Sequence, residues 1–233
     1  DPAALDRVPL LRDALVLLRL LEAEEPLKAT QKGFLPRRLV QRFWEEREKD
    51  RVEAMFRPYK EFDDNRGHRI RLCAEHAGLM KKHKGAFSLT RRGRQLLGDE
   101  RLGSIYGLLF QASTEKVRWD AFTGGQNVPE IQWAFPAGLL LFHRRARGGE
   151  QANQLVYDFL PVLELLRSLE LGQDHDLSGA VHLIRIQLID RFGFELGLLE
   201  MAEGAQREDE AHDHGDRSVQ PTALFDALFE WQL

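Results

Sequence analysis

The feature that most constrains the fold of this chain is a sequence phrase that occurs twice. In residues 78–97, a Gly-Leu pair is followed by a short polar stretch, a threonine and an amphipathic segment. The same order returns in residues 197–202 and 218–229, where a Gly-Leu pair again precedes a threonine and an amphipathic segment. The threonines are Thr90 and Thr222, and apolar residues lie six and seven positions beyond each of them. This recurrence predicts two copies of one supersecondary unit.

The order of elements within each copy predicts a winged-helix-like unit. A helix ends in Gly-Leu, a hairpin-like stretch follows, and a strand runs through the threonine into a new helix. These elements correspond to the recognition helix, the wing and the following helix of such a unit. We therefore predict a mainly α fold with tandem winged-helix-like units and short β-hairpin wings. The predicted boundaries are 1–98 for the first unit, 99–149 for a helical connector and 150–233 for the second unit.

The two copies differ strongly in charge, although the net charge of the whole chain is only −4. Residues 66–94 contain nine Lys or Arg and one acidic residue. Residues 195–216 contain eight acidic residues and one Arg. Between glycine and threonine the first copy spans 12 positions and the second spans 25, and the extra residues hold the acidic run. The pattern predicts a basic first wing and a longer, acidic second wing.

The basic segment, residues 66–94, predicts a nucleic-acid interface. Modules of this type place a helix in the major groove, and Lys and Arg supply much of the affinity by neutralising phosphates. We expect the first unit to bind duplex DNA in a regulatory or mobile-element-associated role, with a solvated basic face as the alternative. The predicted contacts are Arg69 and Arg71 at the start of the recognition helix, Lys81, Lys82 and Lys84 at its end and in the wing, and Arg91, Arg92 and Arg94 on the next helix.

The acidic second wing leaves two further functions open. Its charge suits a basic protein partner, so the first alternative is a protein–protein interaction scaffold without nucleic-acid binding. The second is a metal-dependent enzyme in which His212 and His214, with neighbouring carboxylates, bind a divalent cation. A solvated loop explains this composition better, because two histidines two positions apart lack the spacing of a rigid metal site. Since no paired-carboxylate, nucleophile-elbow or HExxH pattern occurs, we predict neither catalytic residues nor a cofactor.

Composition predicts a soluble protein of the cytoplasm that does not bind membranes. Apolar residues make up 43% of the chain and charged residues 30%, as is typical of globular proteins. The longest apolar runs, such as residues 137–142, are far shorter than a membrane span. Cys73 is the single cysteine, which excludes an internal disulfide and fits a reducing compartment. A role in core packing is expected for it.

Two short segments resemble a known family. Residues 28–40 read Lys-Ala-Thr-Gln-Lys-Gly-Phe-Leu-Pro-Arg-Arg-Leu-Val, and residues 220–225 read Gln-Pro-Thr-Ala-Leu-Phe. Both are similar to phrases in helical, winged-helix-like regions of bacterial proteins related to the plasmid pRiA4b ORF-3-like family. The resemblance covers about the first 45 and the last 15 residues. It implies a helical, winged-helix-like protein associated with mobile elements, and it brings no catalytic residues with it.

Overall fold

The computed structural model describes residues 2–47, 49, 54–119, 122, 129–170, 177–202 and 217–228. These residues are mostly helical and contain two small antiparallel sheets of three strands each. The expectation of a mainly α fold is thereby confirmed. Within these ranges, no helix combines the length and the apolarity that crossing a membrane requires. The chain divides into two compact units, Pro2–Val117 and Arg118–Leu233.

The first unit combines helices with one three-stranded sheet. Its elements are α1 (Pro2–Leu5), α2 (Pro9–Glu24), β1 (Leu27–Lys28), α3 (Arg37–Glu46), a 3-10 turn (Glu61–Asp63), α4 (Asn65–His76), β2 (Met80–His83), β3 (Ala86–Leu89), α5 (Arg91–Gly98), α6 (Leu102–Gln111) and a π-helical turn (Ala112–Lys116). The strand order is β1-β3-β2, and both pairings are antiparallel. The hairpin of β2 and β3 is the element that the sequence predicts as the first wing.

One face of this sheet belongs to the core of the first unit. Leu27 lies opposite Phe87, and Met80 lies opposite Leu89. All four side chains are buried, and α2 packs against β3 with a buried leucine stripe of its own. Burying an apolar side chain of this size contributes about 1.5–3 kcal/mol. The wing is therefore fixed to the helical core through its inner face.

The second unit also combines helices with a three-stranded sheet. Its elements are α7 (Pro129–Trp133), α8 (Phe135–Arg145), a 3-10 turn (Ala146–Gly148), β4 (Glu150–Gln151), α9 (Ala152–Glu170), α10 (Leu177–Ile184), a π-helical stretch (Arg185–Phe194), β5 (Leu199–Met201), β6 (Ser218–Pro221) and α11 (Ala223–Leu228). Its strand order is β4-β6-β5, again with antiparallel pairings. In each unit the last strand of the three lies in the middle of the sheet.

The same pattern of hydrogen bonds surrounds Thr90 within the first unit and Thr222 within the second. Thr90 Oγ1 donates to the carbonyl oxygen of Gly78, and Thr222 Oγ1 donates to that of Gly197, both at 2.6 Å. Each hydroxyl also accepts from the amide three positions further on, at 2.9 Å in the first unit and 3.1 Å in the second. The two glycines have φ angles of +70° and +69°, in the left-handed region that favours glycine. Each threonine therefore joins the end of one helix to the start of another.

The structure groups residues 99–149 differently from the expected connector. Helix α6 belongs to the first unit, whereas α7 and α8 belong to the second. Pro136 lies in the first turn of α8, as Pro9 does in α2, where proline's missing N–H costs no hydrogen bond. Pro161 lies inside α9, which continues through it. In the second unit, α8 and β4 therefore precede the strands β5 and β6. In the first unit, α2 and β1 precede β2 and β3 in the same order.

Candidate nucleic-acid interface

The predicted recognition helix is α4, and buried polar contacts fix its first turn. The Asp64 carboxylate caps the helix by accepting from the Gly67 amide at 2.9 Å. The same carboxylate pairs with the buried Arg47 guanidinium at 2.9 Å. Arg66 pairs with the buried Asp13 of α2 at 2.8 Å. These ion pairs hold α4 against the unit, and Arg66 is the one of these side chains that is partly exposed.

Arg69 and Arg71 lie in the interior of the unit, with only 6% and 5% of their surface exposed. Nε of Arg71 lies 2.8 Å from Oε1 of Glu61, and its guanidinium also pairs with Glu75. Breaking a buried pair of this kind costs about 3–5 kcal/mol. The burial of Arg69 and Arg71 therefore does not agree with the predicted contact between these residues and phosphate. Arg71 instead links α4 to the turn that precedes it.

Glu61 is the centre of this buried charge cluster, with 2% of its surface exposed. Its carboxylate accepts from the Leu35 amide and from Arg71, and it contacts Nδ1 of His68. Burial raises the pKa of Glu61, but the hydrogen bond with His68, the charge of Arg71 and the Leu35 amide outweigh it. The pKa therefore lies below its ordinary value of 4.5.

Three of the predicted cations lie on the wing and are exposed: Lys81, Lys82 and Lys84. Lys84 and Gly85 form the turn between β2 and β3, with φ angles of +49° and +75°. Lys81 lies on the outer face of the sheet. Lys82 turns toward the loop between β1 and α3, where its Nζ donates to the Gly33 carbonyl oxygen at 3.1 Å. The wing therefore presents positive charge at its tip and on its outer face.

The other three predicted cations lie on α5, at the opposite end of the hairpin. Arg91 and Arg92 are exposed in the first turn of the helix. Arg94 is half exposed and pairs with Glu25. Because β3 is four residues long, α5 and the wing tip lie beyond opposite ends of a strand of about 13 Å. The predicted cations thus form two groups along one hairpin.

Lys28 also belongs to this set, although it lies outside the basic segment of residues 66–94. It lies opposite Ala86 in the sheet and is exposed, whereas its neighbour Leu27 is buried. The alternation places Lys28 on the same outer face as Lys81. The signal was present in the sequence, but a two-residue strand is too short for periodicity to be read. We call the following residues the basic surface: Lys28, Lys81, Lys82, Lys84, Arg91, Arg92 and Arg94.

The corresponding sheet of the second unit carries a different charge. Glu200 follows Gly197 by three positions, as Lys81 follows Gly78, and it occupies the equivalent place in the middle of an edge strand. Its carboxylate accepts from the Gln220 side chain at 3.1 Å. An exposed cation of the first sheet is therefore replaced by an anion in the second.

The structure offers no support for a metal centre in the part of the chain that it describes. There, no three His, Cys, Asp or Glu side chains are grouped so that they could hold a metal ion. His212 and His214, together with most of the predicted acidic wing, lie outside the described residues. Cys73 is buried in α4, in the packing role expected for it.

Comparison with known proteins gives one match. Residues 6–102, which are under half of the chain, match a family model described as the Y4jL N-terminal domain. No curated protein and no solved structure matches the chain. The matched residues contain α2 to α5, and with them the first sheet and the whole basic surface. The match makes no connection with the pRiA4b ORF-3-like family, so that resemblance stays a prediction.

Proposed function

We propose that the first unit is a winged-helix-like module that binds duplex DNA, and that the second unit is a diverged copy of it. The observation that carries the proposal is the basic surface, whose cations are exposed on the wing and on α5. The common strand order and the matching threonine hydrogen bonds support a duplication. A regulatory or mobile-element-associated role is part of the same proposal.

In this proposal the wing and the first turn of α5 contact the phosphate backbone. Lysines at the wing tip are solvated and long, so they can follow a backbone without rearranging the core. Arg69 and Arg71 are buried and do not contact the phosphates, and Arg71 contributes indirectly because it links α4 to Glu61. Affinity then depends mainly on phosphate neutralisation and only weakly on base sequence.

The position of Arg91 and Arg92 favours a functional role over a merely solvated one. Both occupy the first turn of α5, where the helix dipole is positive and a cation costs about 0.3–1 kcal/mol. The same dipole attracts a phosphate, and the amides of the first turn can donate to it. Bound DNA would therefore convert an unfavourable charge arrangement into a favourable one.

We expect Arg92→Glu to raise stability and lower DNA affinity at the same time. A glutamate in the first turn interacts favourably with the helix dipole, so the free energy of unfolding should rise by about 0.5–1 kcal/mol. Urea denaturation followed by circular dichroism measures this gain, and fluorescence anisotropy with a labelled duplex measures the affinity. Arg144→Glu, at an exposed position of α8, is the control with the same change in net charge. Unchanged DNA affinity of Arg92→Glu would remove α5 from the interface.

A salt titration of duplex binding tests the proposal as a whole. If six cations contact phosphates, the affinity should fall about 10³-fold between 50 and 200 mM salt. The double variant Lys81→Gln/Lys84→Gln should lower the slope of log K against log salt by about 2, because each contact contributes about 0.9. Both side chains are exposed, so the variant should keep the stability of the wild type.

Two outcomes of this titration would contradict DNA binding by the basic surface. The first is the absence of duplex binding at 50 mM salt. The second is a salt slope that Arg144→Glu lowers as much as the double variant does, since overall charge would then explain the effect.

The second unit has a separate candidate function as a protein-interaction module. Glu200 at the place of Lys81, together with the acidic sequence of residues 203–216, favours a basic protein partner over DNA. Co-purification tests this, with Glu200→Lys as the variant expected to weaken partner binding. If the wild type and Glu200→Lys retained the partner equally, the surface around Glu200 would be excluded as the binding site.

A further inference from the structure

A group of aromatic side chains, of which Tyr59 and Phe62 are exposed, lies beside the basic surface and has no part in the proposed phosphate contacts. Phe34, Phe62 and His68 form a three-ring cluster, with centroid separations of 5.6–6.1 Å. Phe62 is 67% exposed, so most of its ring faces solvent. Tyr59, in the same turn, is 63% exposed. We call Phe34, Tyr59, Phe62 and His68 the aromatic patch.

The aromatic patch is held in a defined arrangement. The Asp63 carboxylate accepts from the amides of Tyr59 and Lys60, which closes the turn that carries Tyr59 and Phe62. The Arg37 guanidinium carbon lies 3.8 Å from the centroid of the Tyr59 ring. His68 is held by the buried Glu61. Preorganised rings lose little conformational entropy when a ligand stacks on them.

Cations border the aromatic patch, and the nearby carboxylates are already engaged. Lys82 Nζ donates to the carbonyl oxygen of Gly33, the residue before Phe34, so the wing reaches the edge of the ring cluster. Asp63 lies near Lys60, with 3.7 Å between the charged atoms, and Glu61 is buried. The charge around the rings is therefore suited to an anionic ligand.

We propose that the aromatic patch stacks unpaired bases, so that the first unit prefers duplex DNA carrying a single-stranded extension. Exposed rings next to cations are the combination that binds single strands, because bases stack on the rings while phosphates meet the cations. An acidic peptide would use the cations but has less need of flat, exposed rings. This inference rests on the proposed duplex binding by the basic surface, of which it specifies the substrate class.

The test compares a blunt labelled duplex with the same duplex carrying a short thymidine extension. One stacked base is worth about 1–3 kcal/mol, so the extension should increase the affinity of the wild type about fivefold or more. Phe62→Leu keeps an apolar side chain but removes the ring, and it should abolish this preference while leaving blunt-duplex affinity unchanged. Phe62→Tyr should retain the preference. Met55→Ala, at a 71% exposed position of the same segment, is the control for loss of apolar surface.

The outcomes separate this inference from the proposed function. Absence of duplex binding contradicts the proposed function, whereas equal affinity for blunt and extended duplexes overturns only the inference. A preference that Phe62→Leu and Phe62→Tyr both retain also overturns it, and would leave the aromatic patch as a protein-docking surface. A preference lost in Phe62→Leu and kept in Phe62→Tyr supports stacking.

Discussion

Gly93→Ala is expected to destabilise the first unit by about 3 kcal/mol or more, because the added methyl group has no space. A β-carbon at this position would lie 1.9 Å from the carbonyl oxygen of Leu79 and 2.8 Å from its carbonyl carbon. Neither atom belongs to a flexible side chain. That carbonyl oxygen accepts from the Thr90 amide at 3.0 Å, so moving it would disturb the junction of β2 and α5. Urea denaturation of the full chain, followed by circular dichroism, measures the loss.

Gly98→Ala is the matched control for this substitution. Gly98 ends the same helix, and a β-carbon there would meet no atom within 4 Å. Replacing glycine by alanine without strain stabilises a protein by about 0.4–1 kcal/mol. We therefore expect opposite signs for the two substitutions. If Gly93→Ala were as stable as Gly98→Ala, the close contact between α5 and Leu79 would be disproved.

The hydrogen-bonded junctions at Thr90 and Thr222 could be predicted from the sequence because they depend on short-range rules. Gly78, with a positive φ, follows the end of α4. Thr90 then caps α5 by accepting from the amide of Gly93, three positions further on. Both signals lie within about a dozen residues in the first copy. Lys81, Lys82 and Lys84 are exposed, as a contact with phosphate requires, and that contact stays a prediction.

The interior position of Arg69 and Arg71 could not be predicted in the same way. A basic segment was interpreted as a surface, because charged residues are seldom fully buried. The buried partner of Arg71 is Glu61, which comes from an irregular turn that has no periodic pattern. Only the folded chain brings the Leu35 amide, 26 positions away, to the same carboxylate. The aromatic patch was missed for a similar reason, since Phe34 and Phe62 meet through tertiary packing.

The unit boundary was difficult to predict because proline is an ambiguous signal. A proline within an apolar helical pattern predicts either a kink or a restart of the helix, and Pro161 lies inside the continuous helix α9. The first turn of α8 contains Pro136, which is the better counterpart of Pro9. Proline is favourable in the first turn of a helix and costly in its interior. The tertiary packing of α9 in the second unit therefore overrides a local preference.

Glu61→Ala is expected to lower the free energy of unfolding of the first unit by about 3–5 kcal/mol at neutral pH. The substitution leaves the Arg71 guanidinium and the Leu35 amide without their carboxylate in a buried environment. It should also weaken DNA binding indirectly, because α4 and the turn carrying Phe62 lose their common anchor. Chemical denaturation at pH 7 measures the stability. A loss below about 1 kcal/mol would show that water replaces the carboxylate, as happens at exposed ion pairs.

The pH dependence of Glu61→Gln distinguishes the charge of this carboxylate from its shape. Because the pKa of Glu61 is lowered in the folded chain, its charge stabilises the fold above the ordinary value of 4.5. That contribution is lost as the pH falls through the lowered pKa. The wild type should therefore exceed Glu61→Gln in stability at pH 7, and the difference should shrink as the pH falls below 4.5. If the stability difference between the wild type and Glu61→Gln did not depend on pH, the charge of Glu61 would make no contribution. Hydrogen-bond geometry alone would then explain how this position holds Arg71.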